Sequence, residues 1–157
     1  MKDMVYGAYG SNLNLKQMSE RCPFAILLGA AELENYKLTF KAHRRMPVAD
    51  IEYCKGSKVP ILLWELDEAA EKQMDKYEGF PTCYTKKYEY VEFEGKKIKI
   101  LLYIINPKND CSFGSPSDIY YNKIRKGYEE AGFDVNVLNT AVKEAISRAK
   151  KQQKKNF

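Results

Sequence analysis

Two runs rich in Tyr, Val and Ile, residues 84–93 and 97–105, stand on either side of Glu94-Gly95-Lys96. A glycine in so short a gap predicts a β-hairpin, because the tight turns that match strand twist need backbone angles that glycine adopts freely. A lone two-stranded hairpin is marginal in water and must lay its apolar face on further strands or a helix. Partners are present along the chain. Residues 4–9, "MVYGAY", read as a strand ending at Gly10, and residues 25–33 and 36–42 as two more, the second alternating Tyr36, Leu38 and Phe40 on one face. Residues 43–47, "HRRMP", read as a loop. "ADIEYC" and "VPILLWEL" read as strands joined by the turn-like "KGSK".

Helix signals fall between these strands. "NLKQMSERC" has Leu15 and Met18 three apart, with Asn12 or Asn14 as N-cap. "DEAAEKQMDKYEG" opens on Asp67 and Glu68, spaces Ala70, Met74 and Tyr77 helically, and stops at Gly79. After a loop at "NPKNDCSFGSP", Ser117 can cap a helix carrying Tyr120, Ile124 and Tyr128, and a last helix spans about 134–151. The order β-α-β-β-β-β-α-β-β-α-α does not alternate regularly. It predicts an α+β fold with a curved or barrel-like sheet and disfavours a doubly wound one.

The chain is long enough, at 157 residues, for one domain with a hydrophobic core, expected over 1–142, with 143–157 as the end of the last helix and a basic tail. The formal charge of +5 hints at nucleic acid until it is located. Six basic residues against Glu144 fall in 143–157, and the remainder is balanced at 20 basic and 20 acidic side chains. A neutral body with a basic end reads as a solvated terminus, so no nucleic-acid partner is expected. Cys22, Cys54, Cys83 and Cys111 lie far apart, and His43 is the sole histidine, so neither a zinc site nor a Cys-His nucleophile is supported. No metal or cofactor is expected, and His43 is assigned no role. No apolar run approaches a membrane span, "MKDMVYGAYG" has no signal-peptide core, and reduced thiols point to the cytoplasm. Oligomeric state is not readable.

Two short stretches can carry chemistry. In Tyr9-Gly10-Ser11-Asn12-Leu13, a glycine-containing turn at a helix start can aim successive N–H groups at a carboxylate or phosphate. An ordinary N-capped turn explains the same residues, and spacing alone favours it. Glu78 sits in the last turn of its helix, where the dipole disfavours an anion, between Tyr77 and Gly79-Phe80. Shielding by those aromatics would raise its pKa into the range of proton transfer, and a surface glutamate is the equal alternative. Tyr84, Tyr120 and Tyr128 can donate phenolic hydrogen bonds or pack in the core, and Cys83 reads as a buried thiol.

"YGSNL", "VPILLWELDEAAEKQMDKYEGFP" and "PSDIYYNKIRKGYEEAG", in this order, together resemble the gamma-glutamylcyclotransferase-like family, including its AIG2-like and gamma-glutamylamine cyclotransferase branches. The resemblance reaches to about residue 140. It implies a small mixed β-barrel flanked by helices with a cavity at its mouth. It also implies a glutamyl pocket lined by Tyr9, Gly10, Ser11, Asn12, Leu13, Tyr84 and Tyr120, and Glu78 as general acid and base. The implied reaction turns a small-molecule gamma-glutamyl amine or amino acid into 5-oxoproline and the free amine. A binding protein that kept the pocket without turnover, and an adaptor acting through the basic tail, are the alternatives.

Overall fold

In the computed structural model, which describes residues 3–42 and 46–155, the hairpin forms where it is expected. Strand β4 (Tyr84–Phe93) pairs antiparallel with β5 (Lys96–Ile105), from Tyr84 opposite Ile105 to Phe93 opposite Lys96. Glu94 (φ 51°) and Gly95 (φ 76°) form the two-residue turn, both with the positive φ that strand twist asks for. Strand β1 (Met4–Ala8) runs parallel to β5 and antiparallel to β3 (Val48–Leu66), which pairs with β2 (Ile26–Ala42). A two-residue β6 (Ser112–Phe113), in a stretch expected to be loop only, pairs with the end of β2. The sheet order is β4-β5-β1-β3-β2-β6. The fold is α+β, a curled six-stranded half-barrel with four helices.

Two expected strand pairs are in fact two long strands. Residues 25–33 and 36–42 merge into β2, and "KGSK" does not reverse the chain but lies inside β3. The turn signal there has another cause. Glu34 faces Lys58 and Tyr36 faces Tyr53, so Cys54 to Ser57 bulge out opposite the single residue Asn35. Asn35 takes φ 65°, which asparagine tolerates, and its Oδ1 accepts the Gly56 N–H at 3.1 Å. Such a bulge increases local twist and coils the ribbon. The facing edges of β2 and β4 meet through side chains: the Tyr36 hydroxyl donates to Glu89, and Phe93 covers Gly29 where a Cβ would lie 3.1 Å from the ring. The expected loop at 43–47 falls partly on 43–45, which lie outside the described residues, and His43 lies there too.

Helix α1 (Leu15–Arg21) starts at Asn14, whose side chain accepts the Gln17 N–H, so of the two candidate caps Asn14 is used. Asp67 caps α2 (Glu68–Glu78) through the Ala70 N–H, and Gly79 ends it in the left-handed region at φ 65°. Ala70 and Met74 bury the inner face of α2. Ser117 caps α3 (Asp118–Ala131). Helix α4 (Val135–Lys155) lies on the sheet, where Lys37 pairs with Glu144 and Arg148 with Glu52. The core runs from Phe40, Ile61 and Leu63 through Ile100 to Leu102, out to Leu138 and Ala145 of α4. Each such fully buried aliphatic contributes about 1.5–3 kcal/mol over exposure. No helix among the described residues is long and apolar enough to cross a membrane.

Candidate active site

Strand β1 lies between β3 and β5, and its C-terminal end feeds straight into residues 9–14. The Leu13 N–H donates to the Gly10 carbonyl at 3.0 Å and the Asn14 N–H to the Ser11 carbonyl at 3.1 Å, closing a short 3-10 turn. As at any helix start, the preceding N–H groups, those of Ser11 and Asn12, have no acceptor among the described residues. Gly10 lets this loop approach the sheet: a Cβ there would lie 3.0 Å from the Ala49 Cβ and 3.6 Å from the Tyr120 hydroxyl. Beneath it, Leu13 is fully buried against α3, where Gly127 is the space it fills.

A cavity of about 450 Å³ opens beside the loop. Tyr9, Gly10, Ser11, Asn12, Glu78, Tyr84 and Tyr120 all line it, so residues from the end of β1, from α2, β4 and α3 converge on one space. Leu13 does not line it. A larger groove of about 1060 Å³ lies elsewhere, between β2, β4 and the α3–α4 connection, and contains none of these residues.

The side chains are oriented by the fold. Asn12 is buried; its Nδ2 donates to the Tyr6 hydroxyl at 3.0 Å, and its Oδ1 accepts from Arg21. The Tyr9 hydroxyl donates to the Tyr103 carbonyl at 2.6 Å, tying the loop to β5. The Ala49 N–H donates to the Tyr120 oxygen at 3.0 Å. Tyr84, half-buried at the start of β4, lines the same cavity. Burial pushes Tyr120 up to about 12, and Tyr6, Tyr9 and Tyr84 also upward, so these phenols keep their protons at neutral pH. Tyr128, by contrast, is core, buried with its hydroxyl unpaired among the described residues.

Glu78 closes α2 directly before Gly79. The Gly79 and Phe80 N–H groups bond back to the carbonyls of Asp75 and Lys76, which turns the chain and leaves Glu78 on the cavity wall. The residue as a whole is half-buried, yet its carboxyl is packed round by protein. That burial pushes it up to about 7, against the downward pull of the Arg21 guanidinium. A carboxyl that titrates near neutral pH can take and return a proton.

Arg21 and Cys83 differ from the sequence reading. Arg21, which the sequence shows only as part of a helical stretch, lines the cavity and reaches the loop, donating to Ser11 Oγ at 2.9 Å and to Asn12 Oδ1 at 2.7 Å. In sequence it looks like a basic residue in the last turn of a helix, which the dipole already explains. Cys83, expected to be buried, is exposed at the cavity because the tight turn after Gly79 carries it outward, its N–H bonded to the Gly79 carbonyl at 2.8 Å. Among the described residues no group of three or more His, Cys, Asp or Glu could hold a metal ion.

The chain belongs to the family described as gamma-glutamyl cyclotransferase, AIG2-like, whose profile matches residues 5–122. A mouse gamma-glutamylcyclotransferase is 28% identical over 140 residues, covering 82% of this chain and 71% of that protein. A solved gamma-glutamyl cyclotransferase superposes with a TM-score of 0.78 at 23% identity, over 89% of this chain and 86% of its own. An uncharacterized protein from Homo sapiens does so at 0.77 and 24% identity, over 90% and 87%. These two structures share the fold.

Proposed function

We propose that this protein is a gamma-glutamyl cyclotransferase that converts a gamma-glutamyl amine or amino acid to 5-oxoproline and the free amine, with Glu78 as general acid and base. The observation that carries the reading is a carboxyl with a pKa near 7 in the same cavity as a loop with unused N–H donors. The reaction is an intramolecular displacement. The substrate's α-amino nitrogen attacks its own side-chain carbonyl carbon, forming the lactam C–N bond, and the amide C–N bond to the leaving amine breaks. Because the nucleophile belongs to the substrate, the protein need only hold, fold and exchange protons.

In this reading the Ser11 and Asn12 N–H groups grip the α-carboxylate, with Gly10 allowing the approach and Leu13 anchoring the loop from below. Glu78, ionised, takes the proton from the attacking nitrogen and returns it to the departing one. The hydroxyls of Tyr84 and Tyr120 are the wall's donors to the oxygen that gains charge, and Tyr9 holds the loop to β5. The balanced reaction requires no cofactor. Four free thiols suit the cytoplasm as the proposed compartment.

Chromatographic detection of 5-oxoproline tests this on a panel of gamma-glutamyl amino acids, gamma-glutamyl-ε-lysine and gamma-glutamyl alkylamides. At least one should be turned over. Glu78→Gln keeps the shape and removes the base, so kcat should fall about 10²–10⁴-fold with ligand binding retained. Turnover in that variant equal to wild type would discard the mechanism.

A further inference from the structure

The proposed reaction leaves Arg21, a cation of the cavity wall, without a task. The Arg21 guanidinium, at the end of α1, spans the site: Nη1 donates to Ser11 Oγ and Asn12 Oδ1, and the plane lies 4.0 Å from the centroid of the Tyr77 ring on α2. Its Nε is buried with no acceptor among the described residues, so the protein leaves part of the fork unmet. It therefore touches the residue after Gly10 on one side and the residue before Glu78 on the other.

We propose that Arg21 is the positioning residue of this site, bracing the Ser11–Asn12 loop against the end of α2 and supplying the positive charge against which the Glu78 carboxylate forms. A guanidinium suits the task and an ammonium does not. Nη1 meets the Ser11 and Asn12 oxygens while the flat face of the same group lies over the Tyr77 ring, and a compact, strongly hydrated ammonium has no flat face to stack there. The inference rests on the proposed role of Glu78 and adds a residue to it.

The other groups around the carboxyl leave this assignment to Arg21. Tyr6 of β1, Tyr84 of β4 and Tyr120 of α3 hold their protons, kept on by burial and by the neighbouring Glu78 carboxylate, and so bring no charge of their own to it. Tyr103 of β5 gives its hydroxyl to Asp75 at 2.5 Å. Asp50 of β3 accepts the Ile105 N–H at 3.2 Å and lies 3.6 Å from the Lys41 Nζ. On α2, Lys76 is exposed at the cavity rim, and Cys83 follows the helix end. Among the influences on Glu78, Arg21 is the one that favours its anion.

The test compares Arg21→Met and Arg21→Lys with wild type in the pH profile of kcat/KM for 5-oxoproline formation. Glu78 acts ionised, so the profile should rise through its titration near pH 7. In Arg21→Met the limb should move about one unit to higher pH. In Arg21→Lys it should stay while KM rises, because charge remains and the fork is lost. An unmoved limb in folded Arg21→Met, or an equal shift in both variants, overturns the proposal. Two measurements need no turnover and separate this inference from the function proposed above. In wild type, the ¹⁵Nε resonance of Arg21 should shift with an inflection near pH 7 that Glu78→Gln abolishes, and a flat signal overturns the proposal even if Arg21→Met does not fold. Carboxyl ¹³C titration of Glu78 should give the same upward shift in Arg21→Met, whether or not any gamma-glutamyl compound is a substrate.

Discussion

Glu78 weakens the fold that holds it. Its carboxyl ionises near pH 7 in the folded chain against an ordinary value of 4.5, so between those values the folded state keeps a proton that the unfolded chain has released. Stability must then fall as pH rises through that window, since the folded state is the one binding more protons, and the loss is complete above pH 7. Glu78→Gln, neutral at every pH, escapes it. Thermal melts should show variant and wild type alike near pH 4, and the variant more stable at pH 8 by on the order of 1–3 kcal/mol. A variant that is less stable at pH 8 would mean the carboxylate is better solvated than its burial implies. A residue kept at such a cost is understandable if its proton is used.

At the scale of elements, the site depends on a helix whose contact with the loop is invisible in sequence. Gly127 of α3 lies against Leu13, and a Cβ there would stand 2.6–2.8 Å from the Leu13 carbonyl carbon, Cβ and oxygen. Backbone atoms cannot swing aside as a side-chain end can. Gly127→Ala should therefore push α3 off the loop, costing about 1–3 kcal/mol in chemical denaturation, and should raise KM through the displaced Ser11 and Asn12. Unchanged KM in a destabilised variant would detach the loop from that helix. The sequence shows Gly127 only as a glycine inside a helical pattern, because its partner lies over a hundred residues away. Local signals fared better where local chemistry decides: the Glu94-Gly95 turn, the Asn14, Asp67 and Ser117 caps, and the Gly79 stop all stand where short-range hydrogen bonding puts them. "KGSK" misleads for the same reason, since Gly56 does bend the backbone but serves a bulge in a long strand.

For the whole molecule, the two motif segments lie more than sixty residues apart and meet because β1 occupies the middle of the sheet while α2 turns back at its end. Sequence spacing could name the loop and the acid; only the folded chain shows that Arg21 stands between them. The C-terminal helix plays another part. Gln152 accepts the Phe113 N–H at 3.0 Å, and the Arg148 guanidinium lies 3.8 Å from the centroid of the Phe113 ring, fastening β6 to α4. Removing residues 150–157 should therefore lower stability by about 0.5–1.5 kcal/mol in urea and leave kcat unaltered, as none of the described residues in that stretch lines the cavity. Loss of turnover with stability intact would assign the tail a role in the reaction.

The cavity is walled by six tyrosines, Tyr6, Tyr9, Tyr77, Tyr84, Tyr103 and Tyr120. Phenol absorption near 280 nm responds to hydrogen bonding and to the polarity of its surroundings, so this wall is also a built-in chromophore. Any small molecule that settles there changes the ultraviolet difference spectrum and the near-ultraviolet circular dichroism of the unlabelled protein. Ligands can thus be screened optically, in the Glu78→Gln background as readily as in wild type, before any product is sought.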